Sequence, residues 1–185
     1  MKSAFTFMAL ALRILVLLAF VASSGCRENG WHNARRDSAG IAPIPGNTPE
    51  AVLQVYGADA WGWRGWFAIH TWIAVKPAHA SSYTVLDVTG WRGRGGGSVV
   101  RVRQDIPDRY WFGAKPSVIA DYRGEGVDKL IADILEAANN YPWKRTYKGF
   151  PGPNSNTFTA WIGREVPQLN LQLPFSAIGK GYQEG

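Results

Sequence analysis

The sequence predicts an α+β fold, an antiparallel sheet joined to two main helices, and three observations carry that reading. Apolar, β-branched and aromatic residues alternate or cluster in four short runs between residues 51 and 104. The clearest helical periodicity, over residues 127–140, comes after all of them. Strands and helices therefore segregate along the chain, whereas a doubly wound parallel sheet would alternate them.

The elements follow in order. AVLQVYGA, from residue 51, alternates as a strand does. WFAIHTWIAVK (66–76) and YTVLDVTGW (83–91) read as a hairpin joined through PAHASS. RGRGGG is a glycine-rich loop, and SVVRVRQ is a strand whose Arg101 and Arg103 share a face. Residues 105–115 read as a loop, with Tyr110, Trp111 and Phe112 folding back on the core. In VDKLIADILEAANN, Val127, Leu130, Ile131, Ile134, Leu135 and Ala138 form one apolar stripe, while Asp128, Lys129, Asp133 and Glu136 face water. Asn139, Asn140 and Pro142 end that helix. A second helix starts within residues 153–157 and sets Phe158, Trp161 and Ile162 at helical spacing, and Pro167 stops it. The leucine- and proline-rich tail is expected to wrap the domain.

Composition narrows the function classes. The 185 residues carry 20 Lys+Arg against 14 Asp+Glu, a net charge of +6. A single cysteine, Cys26, excludes a disulfide framework and a cysteine zinc site. With 18 % charged and 13 % aromatic residues the chain is too apolar to be disordered. RGRGGG lacks the Gly-Lys-Ser/Thr of a phosphate-binding loop, and His32 and His79 are too far apart in sequence context for a metal cluster. No metal and no cofactor is expected.

The N-terminus is the strongest targeting signal. Lys2 precedes a nearly continuous apolar run that Arg13 interrupts, and Ala22, Ser23, Ser24 and Gly25 follow before Cys26. A cation, an apolar stretch and then small residues make an export signal. The length also approaches that of a membrane-spanning helix. Ser24-Gly25-Cys26 fits the end of a lipoprotein signal, with Cys26 as the lipidated residue, although Ser23 stands where Leu is usual. Lipoprotein signal, uncleaved anchor and ordinary cleaved signal all remain open. The expected organisation is signal or anchor over 1–26, a Gly/Pro-rich tether over 27–50, and one α+β domain over 51–185. The expected location is the cell envelope, with the domain outside the cytoplasm and the membrane as a partner. Without Lys2 and Arg13 the +6 drops by two, to +4. That modest excess, with export, argues against nucleic-acid binding.

Candidate chemistry concentrates at three residues. His70 lies mid-strand, and pairing across the PAHASS loop of residues whose numbers sum to about 157 places Asp87 opposite it. Asp87 sits between Leu86 and Val88, where an unpaired carboxylate would be costly, so a histidine partner gives it a reason to be there. Ser155, in GPNSNTF, falls at a helix start whose free N–H groups suit a developing oxyanion. The plainer alternatives are a core histidine and an ordinary helix cap. Arg92, Arg94, Arg101 and Arg103 could hold an anion or form a solvated face. Trp61, Trp63, Trp66, Trp72 and Trp91 could line a groove for glycan or acyl chains, pack in the core, or lie near a membrane.

WRGWFAIHTWIAVKP, YTVLDVTGW and YPWKRTYKGFPGPNSNTFTAWI resemble the bacterial domain of unknown function 3750 family over most of residues 30–182. That family has no established activity to carry over. More distantly, a strand histidine, a polar residue on the next strand and an Asn-Cys-x-x-Phe helix start make the order of circularly permuted papain-like hydrolases, the NlpC/P60 and lecithin:retinol acyltransferase-like enzymes. That resemblance implies a hydrolase or acyltransferase on amide or ester bonds, with Ser155 as nucleophile, His70 as base and Asp87 orienting it. Asn154, Asn156, Trp72, Trp91, Arg92 and Arg101 would then contact a peptidoglycan, lipid or peptide substrate. Ser155 stands where those enzymes have Cys. The site is therefore either a serine variant or a catalytically inactive scaffold used for binding or assembly.

Overall fold

The computed structural model describes residues 30–183. The segment read as an export signal or anchor, with Cys26, lies outside the described residues. Residues 30–34 belong to a separate N-terminal unit, in which the rings of Trp31 and His32 lie 3.5 Å apart.

Five strands form one antiparallel sheet: β1 (Val52–Asp59), β2 (Ile69–Lys76), β3 (Thr84–Val88), β4 (Val100–Gln104) and β5 (Ser117–Arg123), in the order β4-β3-β2-β1-β5. The first four run as a meander, and β5 returns to the free edge of β1. The fold is α+β, with this sheet and two main helices. Strands β1 and β2 occupy the middle and are buried almost throughout, which explains why both read as nearly continuous apolar runs.

Each face of the sheet has its own cover. Leu53, Val55, Ile73, Val75, Leu86 and Val88 point to the helical layer. There α2 (Val127–Asn140) and α3 (Ser155–Glu165) bury Ile131, Ile134, Phe158 and Ile162 against them. On the other face Val52, Tyr56, Trp72, Ala74 and Val85 pack with Tyr83 and Trp111. This second cover is built from loop, and hydrogen bonds hold it together. Asp108, 1 % exposed, accepts from Ser38 Oγ (2.8 Å) and from the backbone N–H groups of Ile41 (2.7 Å) and Ala42 (3.1 Å). Part of the segment read as tether is thus bonded to the domain. It runs antiparallel to residues 108–113 through Ala39 N–H to Asp108, Tyr110 N–H to Asp37 and Gly113 N–H to Arg35.

Several boundaries depart from the sequence reading. Residues 62–66 form a 3₁₀ turn instead of the start of β2. Strand β3 stops at Val88, and the next residues wind into a single turn, α1 (Gly90–Gly93). Strand β5 was not foreseen; its side chains alternate only weakly between exposed and half-buried, so no face declared itself. Leu135, assigned to the apolar stripe of α2, is 37 % exposed, and Ala137 is buried in the core instead. The hairpin register differs by two residues. Ile73 pairs with Leu86 and Ala74 with Val85, so that the same register brings Asp87 level with Trp72 rather than His70. This is the register of a turn that closes symmetrically about residues 77–82, the PAHASS segment, whereas pairing His70 with Asp87 would shift the centre of closure by one residue toward β2.

Replacing Asp108 by Ala leaves the Ile41 and Ala42 amides without their acceptor. The expected loss is about 1–3 kcal/mol in urea unfolding. Hydrogen exchange at those two amides should quicken while the β1–β2 amides stay protected.

Candidate functional site

The start of α3 is built by its own side chains. Asn154 is the N-cap: its Oδ1 accepts from the N–H groups of Asn156 (2.9 Å) and Thr157 (3.1 Å), and Thr157 Oγ1 accepts in turn from Asn154 N–H. Asn154 Nδ2 donates to the carbonyls of Gly149 and Ile178. Asn156 Nδ2 donates to Ile69 O (2.9 Å) and Ile178 O (2.8 Å), and Thr157 Oγ1 donates to Gly179 O. Gly179, at φ +91°, lets the tail pass over the cap, since a Cβ there would collide with the Asn154 amide. Two of the first-turn N–H groups, those of Asn156 and Thr157, are therefore already satisfied within the chain.

The helix then meets β2 through Thr71. Its Oγ1 lies 3.0 Å from Asn156 Oδ1 and 2.9 Å from Thr159 Oγ1, and 3.4 Å from the Ser155 carbonyl. Neighbouring strand residues point to opposite faces. With Thr71 turned to the helix, His70 turns away from it. The sheet thus lies between His70 and the helix that carries Ser155, and these two are not brought together. Ser155 itself is buried, and among the described residues its Oγ makes no hydrogen bond.

His70 enters the loop-covered layer. Its ring stacks on Trp111 with centroids 3.5 Å apart and planes 5° from parallel. Trp72 lies beyond, with its indole N–H donating to Pro107 O (2.7 Å), and Tyr56 stacks on it. His70 Nε2 is buried with no hydrogen-bond partner. Burial first, and the cations of Arg109 and Arg101 next, hold the imidazole well below its ordinary pKa of 6.5. It is neutral at physiological pH and has no carboxylate to orient it.

Asp87 is paired with arginines. Fully buried, it accepts a bidentate pair from Arg101, Nε at 3.2 Å and Nη2 at 2.8 Å, and a third bond from Arg109 Nη2 at 2.5 Å. Arg101 sits directly across from it on β4. Asp105 extends the network to Arg103 (2.8 Å) and Arg109 (2.9 Å). Burial pushes Asp105 up, but Arg109, the Ile106 N–H and Arg103 outweigh it and leave its pKa below the usual carboxylate range. Arg109 lies in the loop of residues 105–115, whose aromatic residues drew attention and whose arginine did not. The clue was available: a carboxylate flanked by Leu and Val needs a buried cation as readily as a histidine.

The remaining expected contact residues divide. Asn154, Asn156 and Trp72 are buried, and Arg101 is half-buried, in the structural bonds just described. Trp91 and Arg92, on α1, are exposed; Trp91 packs against Trp111 at 5.9 Å and edge-on to Phe112 at 5.7 Å. A cleft of about 370 Å³ opens elsewhere, between β4 and α2, lined by Val102, Leu135 and Lys144 among others. Among the described residues no group of three His, Cys, Asp or Glu could hold a metal ion.

Two outcomes are expected. Asp87→Ala removes the carboxylate that pairs the buried Arg109 and the half-buried Arg101, and should cost about 3–5 kcal/mol in denaturant unfolding. Because the folded pKa of His70 is depressed, the unfolded chain binds more protons below pH 6.5, so stability is full above 6.5 and falls as the pH drops. His70→Gln should flatten that acid limb, by up to about 1.4 kcal/mol per pH unit, in melts between pH 7 and 5.

The model for a protein family of unknown function, DUF3750, matches residues 50–182. No curated protein and no solved structure matches the chain. The papain-like resemblance accordingly gains no counterpart. The matched span holds all five strands, the Asp87 network, the Thr71 contact and the tail that seals the helix cap, and on that extent the chain belongs to the DUF3750 family.

Proposed function

We propose that this chain is a cell-envelope protein held at a membrane by its N-terminal segment, and that its folded domain is a non-catalytic binding or assembly module. The observation that carries the second half is the position of Thr71. It fills the place on β2 that faces the Ser155 helix, and a threonine hydroxyl cannot serve there as a general base at neutral pH. The other parts of a hydrolytic site are also diverted. Asp87 neutralises Arg101 and Arg109, and the Asn156 and Thr157 N–H groups at the helix start are held by Asn154. The support for the first half is the apolar run behind Lys2 and the small residues before Cys26. Among the described residues no helix is long and apolar enough to cross a membrane, so any anchoring falls to the N-terminal segment or to a lipid on Cys26.

A fluorophosphonate probe tests the reading. Folded wild-type protein should label no more than Ser155→Ala, and neither Ser155→Ala nor His70→Ala should change the phenotype of a strain that depends on the protein. Labelling that vanishes in Ser155→Ala would restore the serine-hydrolase reading.

A further inference from the structure

The topology gathers the exposed aromatic residues at one end of the sheet. The β1–β2 connection lies there and presents Trp63 (65 % exposed), Trp66 (89 %) and Phe67. The end of β3 reaches the same place and leads into α1, with Trp91 on its surface. Phe175 (91 %) adjoins it, since Ile69 N–H donates to Ser176 O. Phe150 (80 %) precedes the helix cap that bonds Ile69 O, and Tyr147 rests against Gly90. Single exposed aromatics need no explanation, whereas a group from four separate segments at one end does.

The group is held in shape. Ala60 N–H donates to Ala68 O and closes the β1–β2 connection. Gly65 sits so close that a Cβ would lie 2.5 Å from Ala60 O, so only glycine fits beneath the two tryptophans. Trp61 packs on Phe112 at 5.4 Å, which joins this connection to Trp91.

Charge follows the same axis. The segments at this end expose Arg64, Arg92, Arg94, Lys115 and Lys148, against the single carboxylate of Asp59. At the far end Glu50, Glu125 and Asp128 stand beside Arg103, Arg123 and Lys129, so the excess of cations is confined to the aromatic end. The chain also enters the domain at the aromatic end, because Arg35 O accepts from Gly113 N–H and the Arg36 guanidinium lies over Phe112. The residues between the apolar run, ending at Ala22, and Arg35 number about a dozen and reach at most about 40 Å.

We infer that the aromatic end of the sheet, centred on Trp63, Trp66 and Trp91, docks into the interface of an anionic bilayer, with Arg64, Arg92 and Arg94 facing the headgroups. Tryptophan favours the membrane–water boundary, and cations around it favour an anionic leaflet. This inference rests on the proposal that the N-terminal segment holds the chain at a membrane, and it specifies which face of the domain meets that membrane.

The test uses the full chain reconstituted in phosphatidylglycerol/phosphatidylcholine vesicles with ordinary or brominated acyl chains. The apolar segment contains no tryptophan, and Trp31→Phe, carried in every chain compared, removes the one that follows it, so flotation reports anchoring while tryptophan quenching reports docking. Brominated lipid should quench the wild-type emission. Trp63→Ser with Trp66→Ser should remove roughly half of that quenching while flotation persists. Arg64→Glu with Arg94→Glu should weaken quenching in anionic vesicles and leave phosphatidylcholine vesicles unchanged. Equal emission in both lipids from a floating chain overturns the inference and leaves the anchoring proposal standing. A chain that does not float overturns both. A dimer in light scattering, with no lipid quenching, assigns the surface to a second copy and overturns docking.

Discussion

Strand β2 has no exposed face, and every polar side chain on it must find partners in the layer it points at. That constraint governs the molecule. Thr71, on the helical side, is met by Asn156, Thr159 and the Ser155 carbonyl. His70, one residue earlier, is met by a tryptophan ring on the other side. Lys76, at the end of the strand and fully buried, directs its ammonium to the carbonyls of Glu50 and Pro77. The two covers are independent, one helical and one woven from loop, and the strand is their shared wall. A side chain on β2 belongs to one cover or to the other, and chemistry that needs both has no route through the sheet.

The loop-built cover depends on charge more than on apolar area. Helices bring their own hydrogen bonds, but a loop packed on a sheet must have its backbone groups and ends fixed by something else. Here Asp108 binds the incoming segment, and Asp87 with Asp105 binds three arginines from β4 and the loop. Such a network is an uncertain source of stability relative to an apolar replacement, yet it is strict about geometry once present. It fixes the loop of residues 105–115 in the register that lays Trp111 over His70.

What was legible in the sequence was what periodicity encodes. The α2 and α3 helices, the order of the first four strands and the loop over residues 105–115 follow from apolar spacing and from Asn, Gly and Pro at the boundaries. The site was less legible because β2 is apolar on both sides: Ile69, Trp72, Ile73, Ala74 and Val75 do not reveal which parity faces the helices. His70 and Thr71 were therefore indistinguishable by position, and histidine drew the assignment by its chemistry. The register was legible, since closure symmetric about residues 77–82 pairs Ile73 with Leu86 and sets Asp87 level with Trp72 rather than His70. The aromatic end was visible only as a count of tryptophans until the topology gathered them.

The antiparallel run of residues 35–39 against 108–113 bears on how the domain responds to pulling. Its backbone bonds are stacked in sequence, Gly113 to Arg35 first, then Tyr110 to Asp37, then Ala39 to Asp108. A force transmitted through an N-terminal anchor arrives at the first of these and peels them one by one, the weak loading mode for paired strands. The peel then reaches Asp108, where one carboxylate gathers a hydroxyl and two amides. The three bonds broken up to that point belong to the loop cover, and none of them is a bond of the five-stranded sheet. The segment is a mechanical fuse: it yields first and lengthens the connection, and the fold behind it stays closed.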